Sequence, residues 1–388
     1  MLIGNYMRKF KTFIKPFVYH VTEFFGILIN KLTISKTHFD VAILKNEYIG
    51  DGILALDALE TIKQFLQSKK VCMIANASLC QILQSDKSYS KIIPINPIKY
   101  TKSPSYILKT IWKFRKLKFD TVYVFDTSRW EVTDALVKII SAKEKIGFHE
   151  TLPNGDIKLS PYLKNYIRLV NYPPQTFMPL RYVYFFNDIF NFEYKAKLPQ
   201  ICKIVEFKKV NEPNAPYITI FIGSSMEKRI WSIERFAALI KMLPKQYSYI
   251  ITGHGDYENQ LAEQLIKSTA ETKQTIVNTV GQFSIPELCA VIQNSLFTIG
   301  NDSMGCHLSS ALGIHTFCVS GGGQWNNSIP YTEYLLKDWN YHHIIYKEMP
   351  CFNCIWHCIY PLEDGMTKCV ADIYPEDVIN KVNEFIKN

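Results

Sequence analysis

The feature that most constrains this chain is an alternation that occurs in two blocks. Short apolar runs of strand length are each followed by longer stretches with helical periodicity, from about residue 39 and again after residue 216. In the first block 40–45, 71–75, 91–95 and 121–125 read as strands, and 53–67 and 134–141 as helices, with Leu54, Leu56, Leu59 and Ile62 giving one apolar face. In the second block 217–222, 247–252, 296–300 and 316–319 read as strands, and 233–242, 257–266 and 303–312 as helices. Strands alternating with helices build βαβ units on a parallel sheet. Two such blocks of similar size imply an α/β protein of two facing Rossmann-like domains with a cleft between them.

The polar, proline-containing stretch 208–216 is the best boundary. It separates an N-terminal domain at 39–207 from a C-terminal domain at 208–388 that carries a cysteine-rich segment at 351–369. Residues 161–196 interrupt the alternation with a dense run of aromatics, among them Tyr172, Phe177, Tyr182, Phe185 and Phe186. Large aromatics dominate core burial, so this run is expected to pack helices rather than to stack on sugar rings.

Residues 1–38 form a separate basic and aromatic segment, with Arg8, Lys9, Lys11 and Lys15 interleaved with Phe10, Phe13 and Phe17. Such a segment suits an anionic membrane surface, and equally an extra helix packed on the body. Glu23 and Gly26 interrupt its apolar run, so neither a signal peptide nor a transmembrane helix is expected. The net charge of +9 favours anionic partners, but no RNA-binding signature accompanies it, and nucleic acid is not an expected partner. Ten cysteines in 388 residues are too few for a disulfide scaffold, which points to a reducing cytoplasm.

Four segments carry chemistry. Gly50-Asp51-Gly52 reads as a turn after the first strand, at the carboxyl edge where such sheets bind ligands. A carboxylate there can take a proton from a hydroxyl nucleophile, or simply cap the next helix. Gly223-Ser224-Ser225 runs into Lys228 and Arg229, then into a helix capped by Ser232. Two hydroxyls and the Lys228 point charge suit a diphosphate, whereas a solvated basic loop needs no ligand. Gly300-Asn301-Asp302-Ser303 leads into a helix rich in small residues that carries Gly305 and His307. Its N-terminus, capped by Asp302 and Ser303, would make an anion site; a capped helix without a ligand is the alternative. Gly253-His254-Gly255 is a weaker glycine turn.

In this order, with Val280-Gly281-Gln282 leading into Ile285-Pro286-Glu287-Leu288, these segments resemble the bacterial heptosyltransferases of lipopolysaccharide synthesis, glycosyltransferase family 9. The resemblance covers about residues 39–388 and is most specific in the second half. It implies a GT-B fold and inverting transfer of a heptose from ADP-heptose to a lipopolysaccharide core or related cell-surface glycan. Asp51 would be the base. Ser224, Ser225 and Lys228 would contact donor phosphate, with Asp302, Ser303, Gly305 and His307 completing the donor-phosphate site. Transfer would then need no divalent metal. The implied place is the cytoplasm, peripheral on the inner face of the bacterial inner membrane near a glycolipid acceptor. Met304 stands where the family usually has glycine, with Gly305 one place later, and Ser309 and Ser310 stand where it favours alanine. This leaves a non-catalytic or differently specific nucleotide-binding GT-B protein as the alternative.

Cys351, Cys354, Cys358 and Cys369 form a C-x2-C-x3-C-x10-C array. Four thiolates at this spacing can enclose a structural zinc or iron ion, or form a metal-free structural tail.

Overall fold

The computed structural model describes residues 24, 26, 37–152, 155–158, 161–208, 210, 216–331, 335 and 340–387. Most of the N-terminal segment, and most of the 208–216 boundary, therefore lie outside the described residues.

Twelve strands are described. They are β1 (Thr37–Lys45), β2 (Val71–Asn76), β3 (Lys91–Ile95), β4 (Leu117–Val124), β5 (Ala142–Phe148), β6 (Arg168–Val170), β7 (Tyr217–Phe221), β8 (Ser248–Thr252), β9 (Ile276–Asn278), β10 (Thr298–Asn301), β11 (Thr316–Val319) and β12 (His342–Ile345). They form two six-stranded sheets, ordered β3-β2-β1-β4-β5-β6 and β12-β11-β10-β7-β8-β9. Every pairing within them is parallel. Both sheets are doubly wound, and both change direction beside their first strand. A ligand crevice opens at such a point, beyond the carboxyl ends of the strands.

From Val41 the side chains of β1 alternate between two cores, with Val41 and Ile43 in one and Ala42 and Leu44 in the other. The first core does not stop at the domain boundary. Phe221, Leu288, Ile292, Leu308 and Leu312 from the second half pack into it with Ile53, Leu79 and Tyr182 from the first. The aromatic run forms the helix Met178–Phe190, whose Tyr182, Phe185 and Phe186 are fully buried. Packing, as expected, accounts for its density.

The expected single helix 53–67 is instead an earlier, broken one. It begins at Ile49, ends at Leu54, resumes over Leu56–Ile62 and closes with a 3-10 turn at Lys63–Phe65. At the break the Ala55 N–H donates to Gly52 O over 3.2 Å, tightening the turn. Gly50-Asp51-Gly52 is consequently helical rather than a turn, with Asp51 in the first turn.

The chain's end folds back on the loop after β7. Trp231 is fully buried and donates from Nε1 to Ile373 O over 2.8 Å, and Thr367 N–H donates to Lys228 O over 2.8 Å. The final helix, Pro375–Lys387, buries Val378, Ile379 and Val382 in the second-domain core.

Candidate active site

The first half of the site is built on a buried charge. Lys45, at the carboxyl end of β1, has no exposure. Its Nζ bonds the Glu47 carboxylate, the Tyr182 hydroxyl at 3.1 Å and Phe125 O at 3.3 Å. Glu47 Oε1 accepts the backbone N–H groups of Thr127 and Ser128, at 3.1 and 2.8 Å. Asp126 returns the link, with Oδ1 accepting from Asn46 N and Glu47 N at 2.7 and 3.2 Å and Oδ2 accepting from Thr133. Burial by itself would lower the Lys45 ammonium, but Glu47, Tyr182, Asp126 and Asp51 together hold it charged and raise it.

Asp51 stands just beyond this network. Burial, then the Glu47 charge, push its carboxyl up to about 7, against the lowering effect of Lys45 and Arg181. A carboxyl poised there can exchange protons near neutral pH. Asp302 is also close enough to raise it, so the two halves of the cleft meet here. The contact is tight, since a methyl added to Gly50 would lie 3.2 Å from the His307 ring.

The second half combines the loop after β7 with the start of the helix Met304–Ala311. Ser303 is the N-cap residue of that helix, but its side chain makes no capping bond. This departs from the expected cap, and Asp302 is likewise engaged elsewhere. Its carboxylate pairs with Arg229 at 2.7 Å, and Arg229 also donates to Asp302 O at 3.0 Å. Arg229 further reaches Ser225 Oγ at 3.4 Å, and its guanidinium lies 4.5 Å above the Trp356 ring. Lys228 turns away to donate to Trp356 O over 2.8 Å. Arg229, not Lys228, therefore faces the helix start. Two adjacent cations are indistinguishable in sequence, and only the backbone path separates them.

His307 is buried, with Nδ1 2.9 Å from the Tyr331 hydroxyl and Nε2 4.0 Å from the Asp302 carboxylate. Burial lowers its pKa, which favours the neutral ring. Gly305 has a packing role that the sequence did not reveal, because a methyl there would meet the Phe221 ring at 2.3 Å. Among the described residues, several buried polar atoms around the cleft have no protein partner, namely Ser224 Oγ, Arg229 Nε and both side-chain polar atoms of Asn46. Unpaired buried groups of this kind fit a site that receives a polar ligand.

Arg181 was also missed. It bonds Thr127 Oγ1 at 3.1 Å and Asn327 Oδ1, tying the helix Met178–Phe190 to the loop after β11. Its arginine sits inside an aromatic run, where the sequence offers no pattern to mark it.

Comparison with known proteins decides the family. The family model for glycosyltransferase family 9 (heptosyltransferase) matches residues 107–335. The chain belongs to glycosyltransferase family 9. Lipooligosaccharide heptosyltransferase 2 of Campylobacter jejuni is 22% identical over 343 residues, covering 88% of this chain and 96% of that protein. Lipopolysaccharide heptosyltransferase 1 of Campylobacter coli is 24% identical over 301 residues, covering 72% and 83%. The structure of the E. coli heptosyltransferase WaaC with ADP-2-deoxy-2-fluoro heptose superposes with a TM-score of 0.64 at 15% identity, covering 89% of this chain and 99% of that one. This family 9 glycosyltransferase accordingly has the GT-B fold, with its cleft between the two sheets.

The cysteine-rich segment lies against the loops after β7 and β11. Methyl groups on Gly321, Gly322 and Gly323 would meet Cys369 Sγ at 2.7 Å, Phe352 at 1.9 Å and Trp356 at 2.3 Å. The thiols adjoin, because after burial the neighbouring cysteines are what raise Cys351 and Cys358. They do not close to ligand spacing. Among the described residues the group of three ligand atoms within 4.8 Å of one another is His38, Asp40 and Asp120, at the far end of β1.

Gly305→Ala is expected to destabilise the fold by about 1–3 kcal/mol through overpacking against Phe221, read as a lower urea midpoint with unchanged slope. An unchanged midpoint would contradict this packing role.

Proposed function

We propose that this chain transfers a heptose from ADP-heptose, with inversion, to a lipopolysaccharide-type glycolipid, and that Asp51 is the general base. One observation carries the reading. A carboxyl raised to about 7 lies across the cleft from a guanidinium and an uncapped helix N-terminus. The named activities of the Campylobacter relatives and the ADP-sugar in the WaaC structure support the choice of donor and acceptor.

In this reading the acceptor hydroxyl gives its proton to Asp51 as its oxygen bonds the sugar C1, and the bond from C1 to the diphosphate oxygen breaks. Negative charge then grows on the departing diphosphate. Arg229, the Ser224 hydroxyl and the N–H groups opening the helix Met304–Ala311 stabilise it there. Lys228 acts through the tail, fixing the loop that presents Arg229. Neutral His307 shapes the donor side and carries no charge. The activity would sit at the cytoplasmic face of the inner membrane, where a nucleotide-activated donor meets a lipid-linked acceptor. Among the described residues no helix is long and apolar enough to cross a membrane.

We also propose that Cys351, Cys354, Cys358 and Cys369 hold a structural zinc or iron ion. The donor set fits, although a tetrahedral thiolate site needs sulfurs about 3.8 Å apart. Ile355 and Trp356 adopt left-handed backbone at φ 47° and 61°, which is costly for a β-branched residue and for a large aromatic one. Ligation of the flanking cysteines would offset that cost. The ion would brace the tail against the donor loop and do no chemistry.

Asp51→Asn is expected to lower transfer about 10²–10⁴-fold while donor binding persists. The wild-type kcat/KM should rise with pH through an apparent pKa near 7, because the unprotonated carboxylate is the active form. Glu47→Gln removes a neighbouring negative charge and should move that limb to lower pH. Transfer by Asp51→Asn at the wild-type rate would refute the base assignment. Elemental mass spectrometry is expected to find about one zinc or iron per chain, lost in Cys354→Ser. Metal-free protein whose melting temperature does not respond to added zinc or iron would refute the metal site.

A further inference from the structure

The surface of the first domain carries a face that the reaction does not use. Between Pro97 and Phe119 there are seven Lys and Arg residues and no acidic residue. The stretch folds into the helices Pro97–Lys102 and Pro104–Phe114 beside the edge strand β3. The second helix buries Ile107, Thr110, Ile111 and Phe114. Its opposite face therefore points outward, and that face is not polar throughout. Trp112 is 53% exposed and Leu108 44%, one helical turn apart, and Ile98 on the preceding helix is 60% exposed.

The cations surround these apolar groups. Lys99, Lys102, Lys109 and Lys113 are exposed. Over the Trp112 ring lie the Arg115 guanidinium at 3.7 Å and the Lys116 ammonium at 5.5 Å. The cations crowd one another, since Lys113 is held below its usual range by partial burial and by nearby Lys91. Gly26 packs on Ile111, on the buried side of the same helix.

We propose that this face docks on an anionic lipid bilayer, with Trp112, Leu108 and Ile98 entering the interface and the lysines meeting lipid phosphates. Exposed Trp and Leu among lysines match the headgroup boundary, where an amphipathic ring and a positive charge are both favoured. A nucleic-acid surface would use the cations but gain nothing from exposed Leu and Ile. The helix Pro97–Lys102 follows the carboxyl end of β3, and the helix Pro104–Phe114 runs back to the amino end of β4, where Lys116 O accepts from Thr37 N at the start of β1. The face therefore extends along the outside of the domain from the Asp51 end of the sheet to the opposite end, and the docking does not rest on the proposed acceptor.

The test is sedimentation of the full chain with vesicles of phosphatidylcholine, with and without phosphatidylglycerol, in the absence of donor and acceptor. Pelleting is expected only with the anionic lipid and should weaken in high salt. Lys109→Glu with Lys113→Glu should lower the vesicle partition by at least about tenfold, each lost charge counting about fivefold. Leu108→Ser with Trp112→Ser should lower it as well, while ADP binding in the other domain and the melting temperature stay near wild type. Equal pelleting with both lipids, unchanged pelleting of both variants, or retention by single-stranded RNA with none by vesicles would overturn the proposal. Transfer to a delipidated acceptor reads the enzymatic proposal separately, so either can fail alone.

Discussion

Lys45 is a charge with no access to water, and the cleft takes its form from the way that charge is neutralised. An unpaired buried ammonium would cost several kcal/mol, so Glu47, the Tyr182 hydroxyl and the Phe125 carbonyl must converge on it. Glu47 then accepts the Thr127 and Ser128 N–H groups, and Asp126 accepts those of Asn46 and Glu47. The loops after β1 and β4 are thereby locked together. Asp51 is delivered by the helix that leaves this lock into a buried position near Glu47. Burial, then the Glu47 charge, raise its pKa, so the value follows from how the strand ends are joined.

The second domain shows the complementary arrangement. Arg229 is not held by its own loop alone. Asp302 and the Trp356 ring fix it from two other elements, and Lys228 anchors that loop to the tail. Three glycines after β11 let the tail approach closely enough to do so. The tail's return across Trp231 makes the cysteine-rich segment part of the wall around the loop that carries Arg229, not an appendage.

The two-sheet architecture was legible because fully buried parallel strands leave short apolar runs that composition alone reveals. Strands β5, β6, β9 and β12 were not, since Lys143, Glu144 and Lys145 or the brevity of Arg168–Val170 and Ile276–Asn278 hides them. The site was legible where a residue type implies its chemistry, as with Asp51 between glycines. It was not legible where three-dimensional neighbours decide. Lys228 and Arg229 are adjacent in sequence and differ only in which way a 3-10 turn aims them. Ser303 reads as a cap but leaves its helix uncapped, and Gly305 reads as a phosphate contact while Phe221 alone is enough to require it. The Lys45 network was invisible because Glu47 and Asp126 lie far apart along the chain.

In the proposed reaction the second domain holds ADP-heptose with its diphosphate against Arg229. Calorimetric titration of the purified protein with ADP, UDP, GDP and CMP tests this. Selective ADP binding is expected, weakened at least about tenfold in Arg229→Ala because a charged hydrogen-bonding partner is lost. Preference for another nucleotide, or ADP binding untouched by that substitution, would contradict it.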